Sequence, residues 1–254
     1  MNQELIKSFN DNLKEIRILE LVGIGVLSIF LIGFLEVGLE WLEIIPIIYV
    51  LFRTRNNLTG LKNCATNLFS TIPFKTWILL GIAGYVFALG LGLLSSEMFP
   101  SEYYIFKSME IASSGFVFIG VDFLFSVILG PACEELVFRG ILLNRINKRI
   151  PLVLSIILTS ILFSLFHPIE AQISSFIFGI VMCIAYLISN NILVPITLHM
   201  LNNLLSMAVS HIPNIELAFH SQIGMIILGI FTVISLIYII KFIIEGYNKI
   251  KSPV

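Results

Sequence analysis

The stretch QIGMIILGIFTVISLIYIIKFI, residues 222–243, decides the class of fold. It is long enough to cross a hydrocarbon core at about 20 residues per crossing, and Lys241 is its single charge. Runs of the same character recur along the chain, at 18–35, 41–53, 76–95, from 112 through 132 and onward, and at 152–167, 172–189 and 192–210. They are continuous rather than alternating or amphipathic. The composition agrees, with 57% of residues hydrophobic and 12% charged, where a soluble domain carries about 25% charge. The expectation is an all-α, polytopic membrane protein: about eight transmembrane helices in one bundle with an intramembrane polar cavity, and residues 1–254 as a single domain.

Charge placement sets the expected topology. With both termini cytoplasmic, the inner segments hold Lys7, Lys14 and Arg17; Arg53, Arg55, Lys62 and Lys75; Arg145, Lys148 and Arg149; and Lys241, Lys249 and Lys251. The outer loops then hold Glu36, Glu40, Glu97, Glu102, Glu110, Glu170 and Glu216 against one basic residue, Lys107. That asymmetry follows the positive-inside rule. The first apolar run lacks a small-residue cleavage pattern and reads as a retained helix. Ahead of it, Leu5, Phe9, Leu13 and Ile16 make an apolar stripe suited to a helix lying on the membrane surface. A second interfacial helix is expected within the polar stretch 53–76. Gly84, Ala88 and Gly92 form a small-residue stripe expected to be a packing seam. Net charge is −1, and nothing points to nucleic acid. Cys64, Cys133 and Cys183 show no metal-ligand spacing and read as packing residues.

Ionisable groups inside a membrane call for a reason. PACEELVFRG, residues 131–140, carries Glu134, Glu135 and Arg139 on the long fourth helix. Glu135 and Arg139 are four apart with the acid first, the favourable order for an ion pair. Glu134 is rotated about 100° away and has no local partner. Asp122 also lacks a nameable partner. His167 closes the run ILFSLFH, with Phe163 one turn earlier, and His199 and Asn203 share a helix face. Glu134 and His167 each lie about 16 residues from the turn at 148–151, so an antiparallel hairpin sets them at similar depth. His199 and Asn203 stand roughly 14 and 20 Å above the next inner turn on the same rise. Residues from three helices therefore converge.

The set suits hydrolysis. A glutamate can take a proton from water, a histidine can orient that water, and a second histidine with an amide can hold an oxyanion. Ser160 and Ser164 read as helix-packing hydroxyls, so water is the expected nucleophile. Glu134, His167 and His199 could instead be zinc ligands. There is no HExxH, and ligation by Glu134 would leave the base unassigned, so direct activation is preferred while zinc stays open. His211 and His220 receive no role.

EELVFRG fits an EExxxR motif at Glu134, Glu135 and Arg139; Phe163 to His167 fits FxxxH; His199 to Asn203 fits HxxxN. In that order the three resemble the CPBP family of intramembrane peptidases, which includes type II CAAX prenyl endopeptidases and bacteriocin-processing or immunity proteins. The resemblance is carried by a motif core at about 130–205. It implies an eight-helix bundle with a water-filled cavity, and hydrolysis of a peptide bond in a short peptide or a membrane-associated protein. By the same resemblance Glu134 and His167 activate water, His199 and Asn203 hold the oxyanion, and Glu135 and Arg139 brace the fourth helix. The family has been described both as metal-dependent and as glutamate peptidases. The expected setting is a bacterial plasma membrane. The alternative function within the family is a non-proteolytic self-immunity or binding protein.

Overall fold

In a computed structural model, residues 2–35, 42–98, 120–121, 123–212 and 215–252 are described, and these are helical throughout apart from short turns. The helices are α1 (Asn2–Glu15), α2 (Ile18–Leu35), α3 (Ile44–Thr54), α4 (Leu58–Thr66) and α5 (Phe74–Met98). Helix α6 then runs without a break over 123–147, and α7 (Leu152–Ser164), α8 (Gln172–Ser189), α9 (Leu193–Ser210), α10 (Ile215–His220) and α11 (Gln222–Lys251) complete the chain. Asp122 and Lys107 lie outside the described residues.

Among the described residues, four segments are long and apolar enough to cross a membrane: Phe74–Leu94, Ile169–Ser189, Leu193–Ser210 and Gln222–Lys251. Ile18–Ile32 and Leu152–Ser164 are apolar but shorter. Helices α2 and α11 expose Leu19, Val22, Ile29, Phe30, Ile223, Ile230 and Ile237, an apolar surface far larger than a water-soluble monomer presents. The protein is a membrane protein.

Several boundaries depart from expectation for local reasons. The second apolar run gives an 11-residue helix, α3, about 16 Å long and half of a ~30 Å core. Helix α7 stops at Ser164, three residues before the end expected from its apolar run, because Pro168 disfavours helical backbone at the residue before it. His167 therefore sits in the turn after α7. Helix α11 continues to Lys251, beyond the apolar run, and its Gly246 packs directly on Ile184 of α8.

The N-terminal helix does not turn its apolar stripe to lipid. Phe9, Leu13 and Ile16 are 0–1% exposed and join Val50, Cys64, Ile141, Leu143, Tyr186 and Ile192 in one core. Burying each such side chain stabilises by about 1.5–3 kcal/mol, which makes α1 a part of the bundle. Polar contacts fasten it: Arg145 Nε donates to the Ile16 carbonyl at 2.8 Å, and Asn10 Nδ2 donates to the Asn190 carbonyl. Helix α4 lies against α1, as a short interfacial helix can.

Helix α8 is the central post. One face (Val181, Met182, Ala185) meets Leu80, Ala83 and Phe87 of α5 and Leu198 of α9; another (Cys183, Ile184, Tyr186) meets the α1–α6 side. Close approaches use glycine. Gly179 of α8 abuts Ser160 of α7, Gly81 of α5 abuts Leu201, and Gly90 of α5 abuts Thr232 of α11. Of the expected stripe, Gly84 makes ordinary contact with Phe178. Along α5 the closer approaches are at Gly81 and Gly90. The three cysteines are buried and free.

Candidate active site

Helix α6 carries the site in an irregular frame. Its segments Phe123–Leu129 and Leu136–Leu143 are π-helical, flanking the α-helical Gly130–Glu135. Wide turns of this kind displace backbone hydrogen bonds and often accompany function. Asn144 stabilises the second one: its Nδ2 lies 2.9 Å from the carbonyls of Arg139 and of Gly140, and 3.1 Å from Tyr186 Oη.

The expected ion pair is present and fully enclosed. Arg139 Nη1 is 2.9 Å from Glu135 Oε1, with both side chains 0% exposed. Arg139 Nη2 donates to the Gly179 carbonyl at 3.1 Å, and the guanidinium lies 4.4 Å above the centre of the Phe163 ring. One arginine thus ties α6 to α7 and α8. Burial on this scale is tolerated because the charge is paired, hydrogen-bonded and stacked.

The unexpected contact is between Glu135 and His199. The same Oε1 accepts from His199 Nδ1 at 2.9 Å, across 64 residues of sequence. An ionised carboxylate can only accept, so Nδ1 carries a proton. The other ring nitrogen, Nε2, faces Glu134 Oε2 at 3.9 Å. That is too long for a direct hydrogen bond, yet an oxygen atom about 2.8 Å from each would bridge them. His199 is thus clamped between the two glutamates, and Glu134 does have a partner, supplied by another helix. Glu135 does more than brace α6: it orients His199.

Aromatic rings fill the remaining space. Phe163 (1% exposed) lies 6.0 Å from the His199 ring and 4.6 Å from the His167 ring, and Phe178 meets His199 edge-on at 5.0 Å. His167 Nδ1 is 3.0 Å from the Phe163 carbonyl. A carbonyl accepts only, so Nδ1 donates and a neutral ring keeps Nε2 as an acceptor. Asn203 Nδ2 donates to the Ser126 carbonyl at 2.8 Å, in the first π-helical segment, leaving one N–H for another acceptor. Asn202 Nδ2 donates to Asn203 Oδ1 at 3.3 Å.

The sequence-derived set is therefore joined as follows. Glu134, Glu135, Arg139 and His199 form one polar chain, His167 joins through Phe163, and Asn203 lies one turn beyond His199, bonded to α6. Among the described residues, no three His, Cys, Asp or Glu side chains stand close enough to hold one metal ion. The pairing of Glu134 with His199 does not amount to the three-ligand zinc set. Three of the buried atoms without a hydrogen-bond partner among the described residues belong to this chain: Glu134 Oε2, Glu135 Oε2 and Arg139 Nε.

Two neighbours escaped the motif reading. Phe178 looks like any apolar residue of its run, and no sequence feature marks it. Glu43 is a charge at the edge of an apolar run, and that placement was the available clue. A methyl group built on Gly130 would lie 3.1 Å from Glu43 Oε1.

Comparison with known proteins agrees with the motifs. Residues 116–205 match the family described as type II CAAX prenyl endopeptidase Rce1-like, a protease family, and the matched segment contains every motif residue named above. Curated proteins and solved structures yield no significant match to the chain.

Proposed function

Taking residues 116–205 as an Rce1-like peptidase domain, we propose that the protein hydrolyses a peptide bond of a short peptide or membrane-associated protein within the bilayer, with water as nucleophile. The observation that carries this reading is His199 held between Glu134 and Glu135. A histidine locked by one carboxylate while its second nitrogen faces another has a fixed direction of proton donation.

The chemistry follows from the donors. Water sits against Glu134, with His167 Nε2 as a second acceptor for its hydrogens. Glu134 takes one proton as the water oxygen bonds to the scissile carbon. The carbonyl oxygen gains the negative charge and accepts from His199 Nε2–H and from the free N–H of Asn203. For Nε2 to donate while Nδ1 donates to Glu135, the ring must carry both protons. The intermediate then collapses, the C–N bond breaks, and the proton on Glu134 passes to the leaving amine. Donors aimed at a developing oxyanion in a dry site each contribute about 10²–10³ in rate. Where a metal takes part it would polarise the carbonyl or the water, but the donor set described above does not enclose one.

The proposed setting is a bundle of eight crossings with both termini on the cytoplasmic side of a bacterial plasma membrane, in keeping with the charge asymmetry. Wild type and Glu134→Gln, purified in detergent, are compared on a quenched-fluorescent peptide library with and without a chelator. Cleavage by wild type alone supports the reading, and equal cleavage by both refutes the role of Glu134. Should neither cleave while a cellular phenotype survives Glu134→Gln, the non-proteolytic binding role is favoured.

A further inference from the structure

Asn203 is the amide donor of the proposed function, and an amide side chain can present either its N–H pair or its oxygen. Rotation about its last side-chain bond decides which, and that torsion is broad and roughly two-fold. Two contacts fix the choice. The Ser126 carbonyl, an acceptor, lies 2.8 Å from Asn203 Nδ2. Asn202 Nδ2, a donor, lies 3.3 Å from Asn203 Oδ1. Turning the Asn203 amide over would set its oxygen against the Ser126 carbonyl and its nitrogen against the Asn202 nitrogen. Both hydrogen bonds would be lost together.

Asn202 belongs to none of the three motifs. It precedes Asn203 on α9, rotated by about 100°, and it faces α5. A methyl group built on Gly84 would lie 3.7 Å from Asn202 Oδ1 and 3.6 Å from the Phe178 ring. That oxygen is enclosed and has no hydrogen-bond partner among the described residues. A buried unpaired acceptor is costly, and an apolar side chain against Gly84 would avoid the cost. What the amide supplies, and an apolar residue does not, is its N–H toward Asn203.

We propose that Asn202 is a positioning residue for hydrolysis: it locks the Asn203 amide in the orientation that leaves an N–H for the developing oxyanion. This rests on the peptidase reading, and Asn202 acts only through Asn203. At 3.3 Å the contact is long for an N–H···O bond. It strengthens when Asn203 donates to an oxyanion, because donation through the nitrogen polarises the amide and makes its oxygen a better acceptor. An interaction that grows toward the transition state acts on kcat rather than on KM.

The first measurement needs no substrate. Protein carrying isotope-labelled asparagine is studied by NMR in detergent, and the Asn203 side-chain amide is identified by its loss in Asn203→Ala. Losing one neutral hydrogen bond corresponds to about a 2–10-fold change in an equilibrium. The Asn203 amide protons should therefore exchange with solvent about 2–10-fold faster in Asn202→Leu. Asn202→Asp keeps the shape but sets oxygen against oxygen, so exchange should rise at least as much. Thermal stability of Asn202→Leu should equal or exceed that of wild type, which separates positioning from packing. On a peptide that the wild type cleaves, both variants should lower kcat by about 2–10-fold or more with KM little changed. Neither should lower it further in Asn203→Ala protein, because the two residues act as one unit. Unchanged amide exchange in both variants, an unchanged kcat, or additive losses with Asn203→Ala overturns the proposal. Faster exchange in a protein whose wild type cleaves nothing also overturns the role in hydrolysis, and the fault then lies with the peptidase reading and not with the contact.

Discussion

Arg139→Ala should unfold the protein at a distinctly lower temperature than wild type. The arginine is 0% exposed, 2.9 Å from Glu135 Oε1, 3.1 Å from the Gly179 carbonyl and stacked at 4.4 Å on Phe163. Removing one partner of a buried pair typically costs about 3–5 kcal/mol. Here the lower end applies, because His199 Nδ1 still donates to Glu135 at 2.9 Å. A loss of about 3 kcal/mol lowers the melting temperature of a chain this size by about 6–12 °C. The assay is thermal unfolding in detergent, with Glu134→Gln as the control. Glu134 is 37% exposed on its side chain and should change stability little. Adding Glu135→Gln to the arginine variant removes the stranded charge, so the double variant should recover part of the loss. A melting temperature within about 2 °C of wild type for Arg139→Ala would refute the claim that this arginine joins three helices.

Gly179→Ala should destabilise the α7–α8 contact by about 1–3 kcal/mol, since its methyl would meet Ser160 Cβ at 3.0 Å and Cα at 3.1 Å; thermal unfolding with and without Ser160→Gly measures it. Asn203→Ala should lower kcat about 10²–10³-fold with KM little changed, on whatever peptide the wild type cleaves; an equal rate would remove Asn203 from the oxyanion role. Burial pushes the Cys64 thiol on the short helix α4 up from 9.0 to about 11, so native protein should resist maleimide at pH 7.5 and react once denatured in detergent. The sign follows: the folded state holds this proton more tightly, so the contribution is fully present below about pH 9 and is lost as pH rises towards 11. Labelling of native Cys64 at pH 7.5 as fast as of denatured protein would contradict its burial.

Much of this protein is readable along the chain because its rules are local. Apolar runs declare helices, and the four-residue spacing of Glu135 and Arg139 declares their pair, since both depend on neighbours within one or two turns. The ordered motifs also fall within the segment 116–205 that matches the protease family. Other features depend on which faces meet, and no local period encodes that. The stripe Phe9–Leu13–Ile16 reads the same whether it faces lipid or protein, and packing against α4 and α6 decided for protein. Glu134 looked unpartnered because its partner, His199, comes from α9, and Glu135 looked like a brace because its second hydrogen bond spans 64 residues. Likewise Glu43 meets Gly130 only where α3 crosses α6. The sequence by itself determined a helical membrane protein with charged residues set into apolar helices. The tertiary structure alone decided which of those charges meet, because hydrogen bonds act over about 3 Å and only folding brings distant helices that close.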